Sequence, residues 1–272
     1  TLEAVAEQSP PALVVWPEMP AHFYYHDDGF TRPYVQRLAR LTNSYFITGA
    51  VTYVPGTNRE QALNSAVMLA PDGKLISQYD KIHLVPFGEY VPWKERLRFA
   101  SSLTAEVSDF TAGRKAVVSE MADGKLSTII CYEAIFPDLV RRFVQQGAGV
   151  IVNISNDGWF GDSAARYQHL LHARMRAIEN DRYLLRATNT GLTVVIAPDG
   201  RISGEIPADQ AGVLKASWTF KTGQTFYTQY GDIFAMAASV LAVLCCLFSF
   251  ARRGEAAGGG PPRGGRGGKK RK

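Results

Sequence analysis

Cys131 is the residue in this chain best placed to act as a nucleophile. It lies in S-T-I-I-C-Y-E, directly after an apolar, β-branched run from Leu126 to Ile130 that predicts a buried strand. The thiol would therefore sit at a strand end, where the backbone turns toward a cleft. The other two cysteines, Cys245 and Cys246, fall in an apolar stretch near the C-terminus. A lone thiol at a strand end is a candidate nucleophile, although a free cysteine can equally be a small buried apolar residue.

Two charged residues also follow predicted strands. Glu18 comes after L-V-V-W-P, and Lys81 comes after a strand that ends in Q-Y-D. Strand ends on one edge of a layered sheet can converge on a common crevice, so both side chains could meet Cys131. In acyl transfer, Glu18 would take the thiol proton and Lys81 would stabilise the oxyanion of the tetrahedral intermediate. Glu89 and Glu133 lie near the same elements and could hold the lysine in place; alone, each charge could instead be a solvated surface group.

Other chemistries find little support in the sequence. A cysteine–histidine dyad requires a histidine near the nucleophile. His83 is the only histidine adjacent to any candidate segment. His169 and His172 have the i, i+3 spacing of two metal ligands, but no nearby Cys, Asp or Glu completes a familiar set, so we predict no metal. The chain also lacks a glycine-rich phosphate loop followed by a helix, and we expect no cofactor.

The basic residues of the chain are concentrated at its C-terminus. Of 30 Lys and Arg residues, eight lie in 252–272, which holds only one of the 25 acidic residues. Residues 1–251 therefore carry 22 basic and 24 acidic side chains, a net charge of −2. A nearly neutral body excludes general attraction to nucleic acid. The tail at 252–272 is rich in Gly, Pro and Arg and is predicted to be disordered.

Residues 233–251 form an uncharged, apolar run of 19 residues. As a helix, this run would be about 28 Å long, close to the thickness of a bilayer's hydrocarbon core. Tyr227 and Tyr230 precede it, where interfacial aromatic residues belong, and two arginines follow it. We predict a transmembrane helix with the C-terminus in the cytoplasm and the preceding domain on the other side of the membrane. The alternative is a buried hairpin helix.

Strand-like and helix-like segments alternate through residues 1–217, which predicts an α/β fold of mixed sheets with helices packed outside. Three similar turns, at 71–74, 122–125 and 198–201, each join two apolar runs and predict β-hairpins. The other predicted strands are Ala12–Trp16, Tyr45–Val54, Val150–Ile154, Tyr183–Ala187, Thr193–Ala197 and Gly212–Ala216. The predicted helices are Leu2–Gln8, Phe30–Leu41, Phe136–Gln146 and Ala164–Arg182, and the long loops are 94–114 and 155–163.

Four separated motifs resemble the nitrilase superfamily of carbon–nitrogen hydrolases. They are W-P-E at 16–18, Y-D-K-I-H-L-V-P-F-G-E-Y-V-P at 79–92, C-Y-E at 131–133 and S-N-D-G-W-F-G at 155–161. The resemblance covers nearly all of residues 12–216. It implies an α-β-β-α sandwich of two mixed sheets flanked by helices. P-F-G-E-Y-V-P, followed by a long loop, and the apolar C-terminal run are similar to the apolipoprotein N-acyltransferase branch.

That resemblance assigns roles to particular residues. Glu18 would be the general base, Lys81 would stabilise the oxyanion, and Cys131 would form a thioester-linked acyl-enzyme. Glu89, Tyr132 and Glu133 match positions that support the site, and Trp159 would belong to a loop facing the substrate.

The resemblance also implies partners and a location. The acyl donor would be a phospholipid, the acceptor a lipoprotein, and the protein a monomer in the bacterial inner membrane with its catalytic domain in the periplasm. The expected organisation is a catalytic domain at 1–220, lacking the opening strand and the preceding membrane helices of the family, then the membrane helix and the tail.

Two alternative functions remain open from the sequence. The same trio could hydrolyse a small amide or nitrile with water as the acceptor. A catalytically silent, membrane-tethered module is the other alternative, although Glu18, Lys81 and Cys131 are all present.

Overall fold

Two β-sheets carry the candidate site residues. The computed structural model describes residues 1–2, 11–21, 23–57, 60–92 and 109–258, with side chains described as far as residue 249. The first sheet has the order β1-β2-β3-β4, with strands Leu13–Val15, Tyr45–Tyr53, Ala62–Leu69 and Leu75–Asp80. The second has the order β10-β9-β8-β7-β6-β5, with β5 to β10 at Val118–Met121, Gly124–Ile130, Val150–Ser155, Tyr183–Thr188, Thr193–Ile196 and Ile202–Ile206.

Both sheets are mixed. In the first, β1 is parallel to β2, whereas β2, β3 and β4 run antiparallel to one another. In the second, β6, β7 and β8 are parallel, and hairpins add β5 at one edge and β9 and β10 at the other. The carboxyl ends of the parallel strands β6 and β7 therefore lie side by side, which places the segments after residues 130 and 155 next to each other.

Among the helices that the structure describes, the first three along the chain pack against these sheets. The helices are α1 (Thr31–Thr42), α2 (Pro137–Gln145), α3 (Ala165–Asn180), α4 (Phe226–Tyr230) and α5 (Ile233–Gly258), and short 3-10 turns span Cys131–Ile135 and Asp157–Phe160. The helices α2 and α3 begin a few residues after β6 and β7 and are the crossovers that a parallel pair of strands requires. Each of these two helices follows one of the 3-10 turns, so the packing of the helix fixes the position of the turn.

The alternating side chains of β3 are buried on both faces of the first sheet. On β3, Val67 and Leu69 pack with α1, whereas Ala66 and Met68 belong to the larger core shared with the second sheet. A strand with one face on a helix and the other on a second sheet has no solvated face, which explains its nearly continuous apolar sequence.

Most of the predicted elements are confirmed. The turns at 71–74, 122–125 and 198–201 join antiparallel strand pairs, as predicted. The predicted strand Gly212–Ala216 is wrong, because this described segment contains no strand. Leu214 nevertheless packs against the core. The predicted helix Leu2–Gln8 and most of the loop 94–114 lie outside the described residues.

The C-terminal segment forms a separate unit at Tyr230–Lys272. Its helix α5 runs from Ile233 to Gly258, and its apolar side chains, such as Phe234 and Leu241, are exposed. Within the described part of the chain, none of the helices combines the length and the apolarity that crossing a bilayer demands.

Candidate active site

The backbone at Cys131 turns sharply at the carboxyl end of β6. Cys131 has φ +48°, in the left-handed region that side chains other than glycine rarely adopt, and it begins the 3-10 turn. Glu133 fixes this turn, because its carboxylate accepts hydrogen bonds from Ile130 N (2.8 Å), the Tyr79 hydroxyl (2.7 Å) and the two main-chain N–H groups after Lys81 (2.7 and 3.2 Å). This buried carboxylate therefore ties the turn after β6 to the segment after β4.

The Cys131 thiol is buried and protonated at neutral pH. Its residue is 6% exposed, and its sulfur lies 4.0 Å from the carbonyl oxygen of Asn156. Burial, and next the negative charge of Glu18, raise the pKa of Cys131 to about 12, although the Lys81 ammonium acts in the opposite direction. A thiol with this pKa needs a base to remove its proton before it can attack a carbonyl group.

Lys81 lies between two carboxylates. Its Nζ donates a hydrogen bond to Glu89 Oε1 at 2.9 Å and lies 3.4 Å from Glu18 Oε1, and the side chain is 1% exposed. Burial alone would lower the pKa of Lys81, but the negative charges of Glu18 and Glu89 outweigh it and raise the pKa above its ordinary value. An ammonium group has three donors, so two carboxylate contacts leave one N–H for another acceptor.

Glu18 is held from several sides at the end of β1. Asn64 Nδ2 donates to Oε1 of both Glu18 (2.7 Å) and Glu89 (2.8 Å), which fixes the distance between the two carboxylates. Oε2 of Glu18 accepts from the main-chain N–H of Asn156 at 2.8 Å, and the Asn189 amide donates to the Glu18 carbonyl oxygen at 2.8 Å. The residue is buried, so these donors take the place of water around the carboxylate.

Gly49 on β2 allows the Glu18 segment to approach the sheet. A Cβ atom at Gly49 would lie 2.4 Å from the nitrogen of Met19 and 2.8 Å from Cα of Glu18. We expect Gly49→Ala to displace the Glu18 carboxylate and to slow acylation of Cys131 about 100-fold, because a shift of about 1 Å can cost that much in rate. The acylation rate and the thermal unfolding midpoint would be measured together, with Gly29→Ala as a control since no atom lies within 4 Å of that Cβ position. Acylation at the wild-type rate in Gly49→Ala would contradict this prediction.

A second buried cluster includes Cys131 itself. The sulfur of Cys131, a ring nitrogen of His169 and a carboxylate oxygen of Asp157 lie within 4.8 Å of one another. Thiolate, imidazole and carboxylate groups are typical zinc ligands. Here, however, Asp157 Oδ2 is 2.7 Å from the guanidinium of Arg186, and Nε2 of His169 is 3.0 Å from the Cys131 carbonyl oxygen. A fixed cation on the carboxylate opposes a metal ion, so these residues do not fit a metal site.

The charge of Asp157 is stabilised within this cluster. Burial would raise the pKa of Asp157, but the hydrogen bond with His169 and the charge of Arg186 outweigh it and hold the pKa below its ordinary value. Ser155 also donates to Oδ1 of Asp157 at 2.8 Å. The carboxylate therefore stays ionised and orients the imidazole of His169.

The structure brings some of the sequence-predicted residues together and separates others. Lys81 contacts both Glu18 and Glu89, and the charges of Glu18 and Lys81 affect the pKa of the Cys131 thiol. Of the two carboxylates expected to hold Lys81 in place, Glu89 accepts from its ammonium group, whereas Glu133 accepts from the main-chain N–H groups of the next two residues.

The two aromatic residues predicted at the site differ in burial. The ring of Tyr132 packs edge-on against Phe136, with ring centres 5.1 Å apart. Trp159 lies in the second 3-10 turn with 76% of its surface exposed. Their roles stay predictions.

Sequence reasoning missed the residues that orient the charged groups. Asn64 interrupts the apolar run of β3, and a polar residue inside a buried strand is a signal that could have identified it. Asn156 and Asp157 lie in the S-N-D-G motif, but their contacts depend on the pairing of β6 with β7. No local signal separates His169 from the other polar residues of α3.

The class of the protein follows from its two mixed sheets, with Cys131 buried at the end of β6 and Lys81 in contact with Glu18 and Glu89. The family profile described as carbon–nitrogen hydrolase matches residues 1–227. The chain belongs to this family, and the predicted resemblance to the nitrilase superfamily is confirmed.

Relatives of this chain carry a more specific name. This chain is 40% identical over 244 residues to an apolipoprotein N-acyltransferase of Geobacter metallireducens, and the match covers 90% of this chain and 47% of that protein. An apolipoprotein N-acyltransferase of Rhodopseudomonas palustris is 36% identical over 249 residues, covering 89% of this chain and 45% of the relative. The predicted resemblance to this branch is confirmed, and the chain spans about half the length of the curated relatives that it matches.

Solved structures with the same fold are more distant. Nit3 of Saccharomyces cerevisiae, a member of branch 10 of the nitrilase superfamily, aligns with a TM-score of 0.60 and 22% identity over 77% of each chain. A carbon–nitrogen hydrolase from Helicobacter pylori aligns with a TM-score of 0.60 and 17% identity, again over 77% of each chain. At these identities the similarity establishes the fold alone.

Proposed function

We propose that this protein is a membrane-bound N-acyltransferase that moves a fatty acyl chain from a phospholipid, through a thioester on Cys131, to the N-terminal amine of a lipid-modified cysteine in an apolipoprotein. The observation that carries the proposal is the buried contact of Lys81 with Glu18 and Glu89 beside a protonated thiol. The names of the relatives support the acyl chain and the amine as substrates.

The first step transfers the acyl group to the enzyme. Glu18 takes the proton of the Cys131 thiol, and the sulfur attacks the carbonyl carbon of the phospholipid ester. The resulting oxyanion accepts hydrogen bonds from the remaining N–H of Lys81 and from the main-chain N–H of Tyr132. When the intermediate collapses, the C–O bond breaks, the proton on Glu18 passes to the alkoxide of the lysophospholipid, and a thioester remains.

The second step regenerates the thiol. The amine of the acceptor attacks the thioester carbonyl while Glu18 accepts the amine proton, and the same donors stabilise the new oxyanion. The C–S bond then breaks, and the thiolate recovers a proton from Glu18. Burial of Cys131, at 6% exposure, favours the amine over water because it limits the access of solvent to the thioester.

The C-terminal helix would attach the protein to the bacterial inner membrane. In this arrangement residues 233–251 enter the bilayer, the catalytic domain at 1–220 faces the periplasm, and the tail at 252–272 lies in the cytoplasm. The exposed apolar side chains of α5, including Phe234, Leu244 and Leu247, support this arrangement, since such a surface is costly to leave in water. The two arginines after residue 251 support the orientation.

Intact and peptide mass spectrometry would test the proposal. Incubation with phospholipid vesicles is expected to add the mass of one fatty acyl chain, mapped to the peptide that contains Cys131 and removed by neutral hydroxylamine, which cleaves thioesters. Protein treated beforehand with iodoacetamide is the control and should acquire no acyl group. An adduct on Cys245, Cys246 or a lysine would contradict the proposed route.

Two other functions make different predictions for the same preparation. Hydrolysis of a small amide would release ammonia from acetamide in the absence of lipid. A silent binding module would show a Cys131 thiol that forms no acyl adduct with any ester. The 40% identity to an N-acyltransferase favours acyl transfer over both.

A further inference from the structure

We propose that His169 is a positioning residue that orients and strengthens the main-chain oxyanion donor through the peptide group between Cys131 and Tyr132. This inference rests on the proposed function, because it assumes that Cys131 attacks a carbonyl group. It adds a residue on α3, outside the Glu18–Lys81–Cys131 set, to the acyl-transfer machinery.

The hydrogen bond to the nucleophile's own carbonyl group is the starting point. Nε2 of His169 lies 3.0 Å from the carbonyl oxygen of Cys131, and a carbonyl oxygen can only accept, so Nε2 carries the hydrogen. A trans peptide group is planar, with its C=O and N–H directed to opposite sides. The N–H of Tyr132 therefore points away from His169, and amides in the first turn of a helix have no acceptor within that helix.

Donation to this carbonyl group changes the amide on the other side of the same peptide. Hydrogen bonds in a chain polarise one another, so withdrawal of electron density by His169 makes the Tyr132 N–H a stronger donor. The same contact restrains the left-handed backbone of Cys131, at φ +48°, which otherwise would relax toward a commoner conformation.

The surroundings of His169 fix the imidazole in this orientation. Nδ1 lies 3.0 Å from Asp157 Oδ1 and 3.1 Å from an Arg186 guanidinium nitrogen, and all three side chains are buried. They come from α3, the second 3-10 turn and β8. Asp157 and Arg186 form a buried ion pair, and breaking one side of such a pair is costly, so the cluster has little freedom to rearrange.

This geometry also distinguishes His169 from a catalytic base. Its Nε2 is occupied by the Cys131 carbonyl oxygen, and its Nδ1 faces Asp157 and Arg186, so neither nitrogen is directed at the thiol proton. Glu18 remains the proposed base.

Two reactions of the same thiol separate these roles. Acylation by a phospholipid or by p-nitrophenyl acetate forms an oxyanion, whereas alkylation by iodoacetamide at Cys131 does not. We expect His169→Leu to slow acylation about tenfold relative to alkylation. His169→Gln, whose side-chain amide can donate to the same carbonyl group, is expected to restore most of the acylation rate. Both rates would be measured by mass spectrometry of the peptide that contains Cys131.

Arg176 supplies a matched control on the same helix. Its guanidinium donates to the Ala134 carbonyl oxygen at 3.3 Å, at the other end of the Cys131 turn, without touching the peptide group of interest. Arg176→Leu should lower stability and change both rates by a similar factor, whereas His172→Gln, at an exposed position, should change neither.

The outcomes are separable from those of the proposed function. Equal slowing of acylation and alkylation in His169→Leu, or no slowing of either, would overturn the inference. If wild-type protein reacts with p-nitrophenyl acetate but not with phospholipid, the proposed function fails while the ratio for His169→Leu still decides this point. If the wild-type thiol is acylated by neither donor, both proposals are overturned.

Discussion

Lys81→Met is expected to slow acylation of Cys131 about a thousandfold and to lower the thermal unfolding midpoint by about 10 °C. The loss of rate follows from the loss of an ammonium donor to the oxyanion, where one donor typically contributes a factor of 10² to 10³. The loss of stability follows from the two buried carboxylates, Glu18 and Glu89, that would remain without their shared cation. Breaking one side of a buried ion pair costs about 3–5 kcal/mol, which corresponds to a shift of this size for a domain of about 200 residues.

A second substitution separates these two effects. Glu89→Gln in the Lys81→Met background removes one of the two unpaired carboxylates and should recover much of the unfolding midpoint without recovering the acylation rate. Lys74→Met is the control, because Lys74 is exposed and pairs with Asp72 at the surface. Circular dichroism during heating and the rate of p-nitrophenol release would give the two measurements. If acylation in Lys81→Met stays within tenfold of wild type, this lysine does not stabilise the oxyanion.

Glu18→Gln is expected to slow acylation about a thousandfold at pH 7 and to lower the thermal unfolding midpoint. General-base catalysis contributes about 10² to 10⁴ in rate, and the thiol of Cys131, with a pKa raised to about 12, has almost no thiolate at this pH. Glutamine has the shape of glutamate and keeps an oxygen for the Asn156 N–H, but its NH2 group then faces two other donors, Asn64 Nδ2 and Lys81 Nζ, in a buried site.

The pH dependence of this variant has a definite sign. Without a base, acylation requires a preformed thiolate, so the rate of Glu18→Gln should rise about tenfold per pH unit from pH 7 to 9. The wild-type rate should change much less over this range, since Glu18 is available to take the proton. Removal of the Glu18 charge also lowers the pKa of Cys131, because that charge is the largest contribution after burial to raising it.

A distant carboxylate supplies the control for these profiles. Glu120→Gln removes an exposed charge that pairs with Lys125 and should leave both the rate and its pH dependence unchanged. Parallel pH profiles for wild type and Glu18→Gln would mean that another group takes the thiol proton.

The charged residues of the site could be predicted because their positions follow from local sequence. Glu18, Lys81 and Cys131 each come at the end of a predicted strand, and a strand end is visible in the sequence alone. The groups that orient them could not be predicted in the same way. Asn64 reaches Glu18 and Glu89 only because β3 lies between β2 and β4, and His169 reaches the Cys131 carbonyl oxygen only because α3 packs against the 3-10 turn that follows β6.

The fold was predictable to a similar extent. Two apolar runs joined by a Pro-Asp-Gly or Ala-Asp-Gly turn predict a β-hairpin directly, because such a turn reverses the chain within a few residues. The segment 212–216 shows the limit of this reasoning. Its apolar residues were interpreted as a strand, but Leu214 packs across Gly204 of β10 without forming a ladder of hydrogen bonds. An apolar sequence indicates that a segment is buried. Whether its backbone also forms hydrogen bonds with a strand depends on the order of the strands in the sheet.

Cys131 supplies the reactive thiol, but its left-handed conformation makes the folded protein less resistant to heat. Glycine adopts this backbone geometry without strain, whereas a residue with a Cβ atom typically carries a penalty of about 1–3 kcal/mol. Replacement of the cysteine by glycine would therefore yield a sturdier chain with no thiol. A library of variants selected only for heat resistance should accumulate inactive proteins altered at this position, and a screen for improved forms must score turnover alongside thermal tolerance.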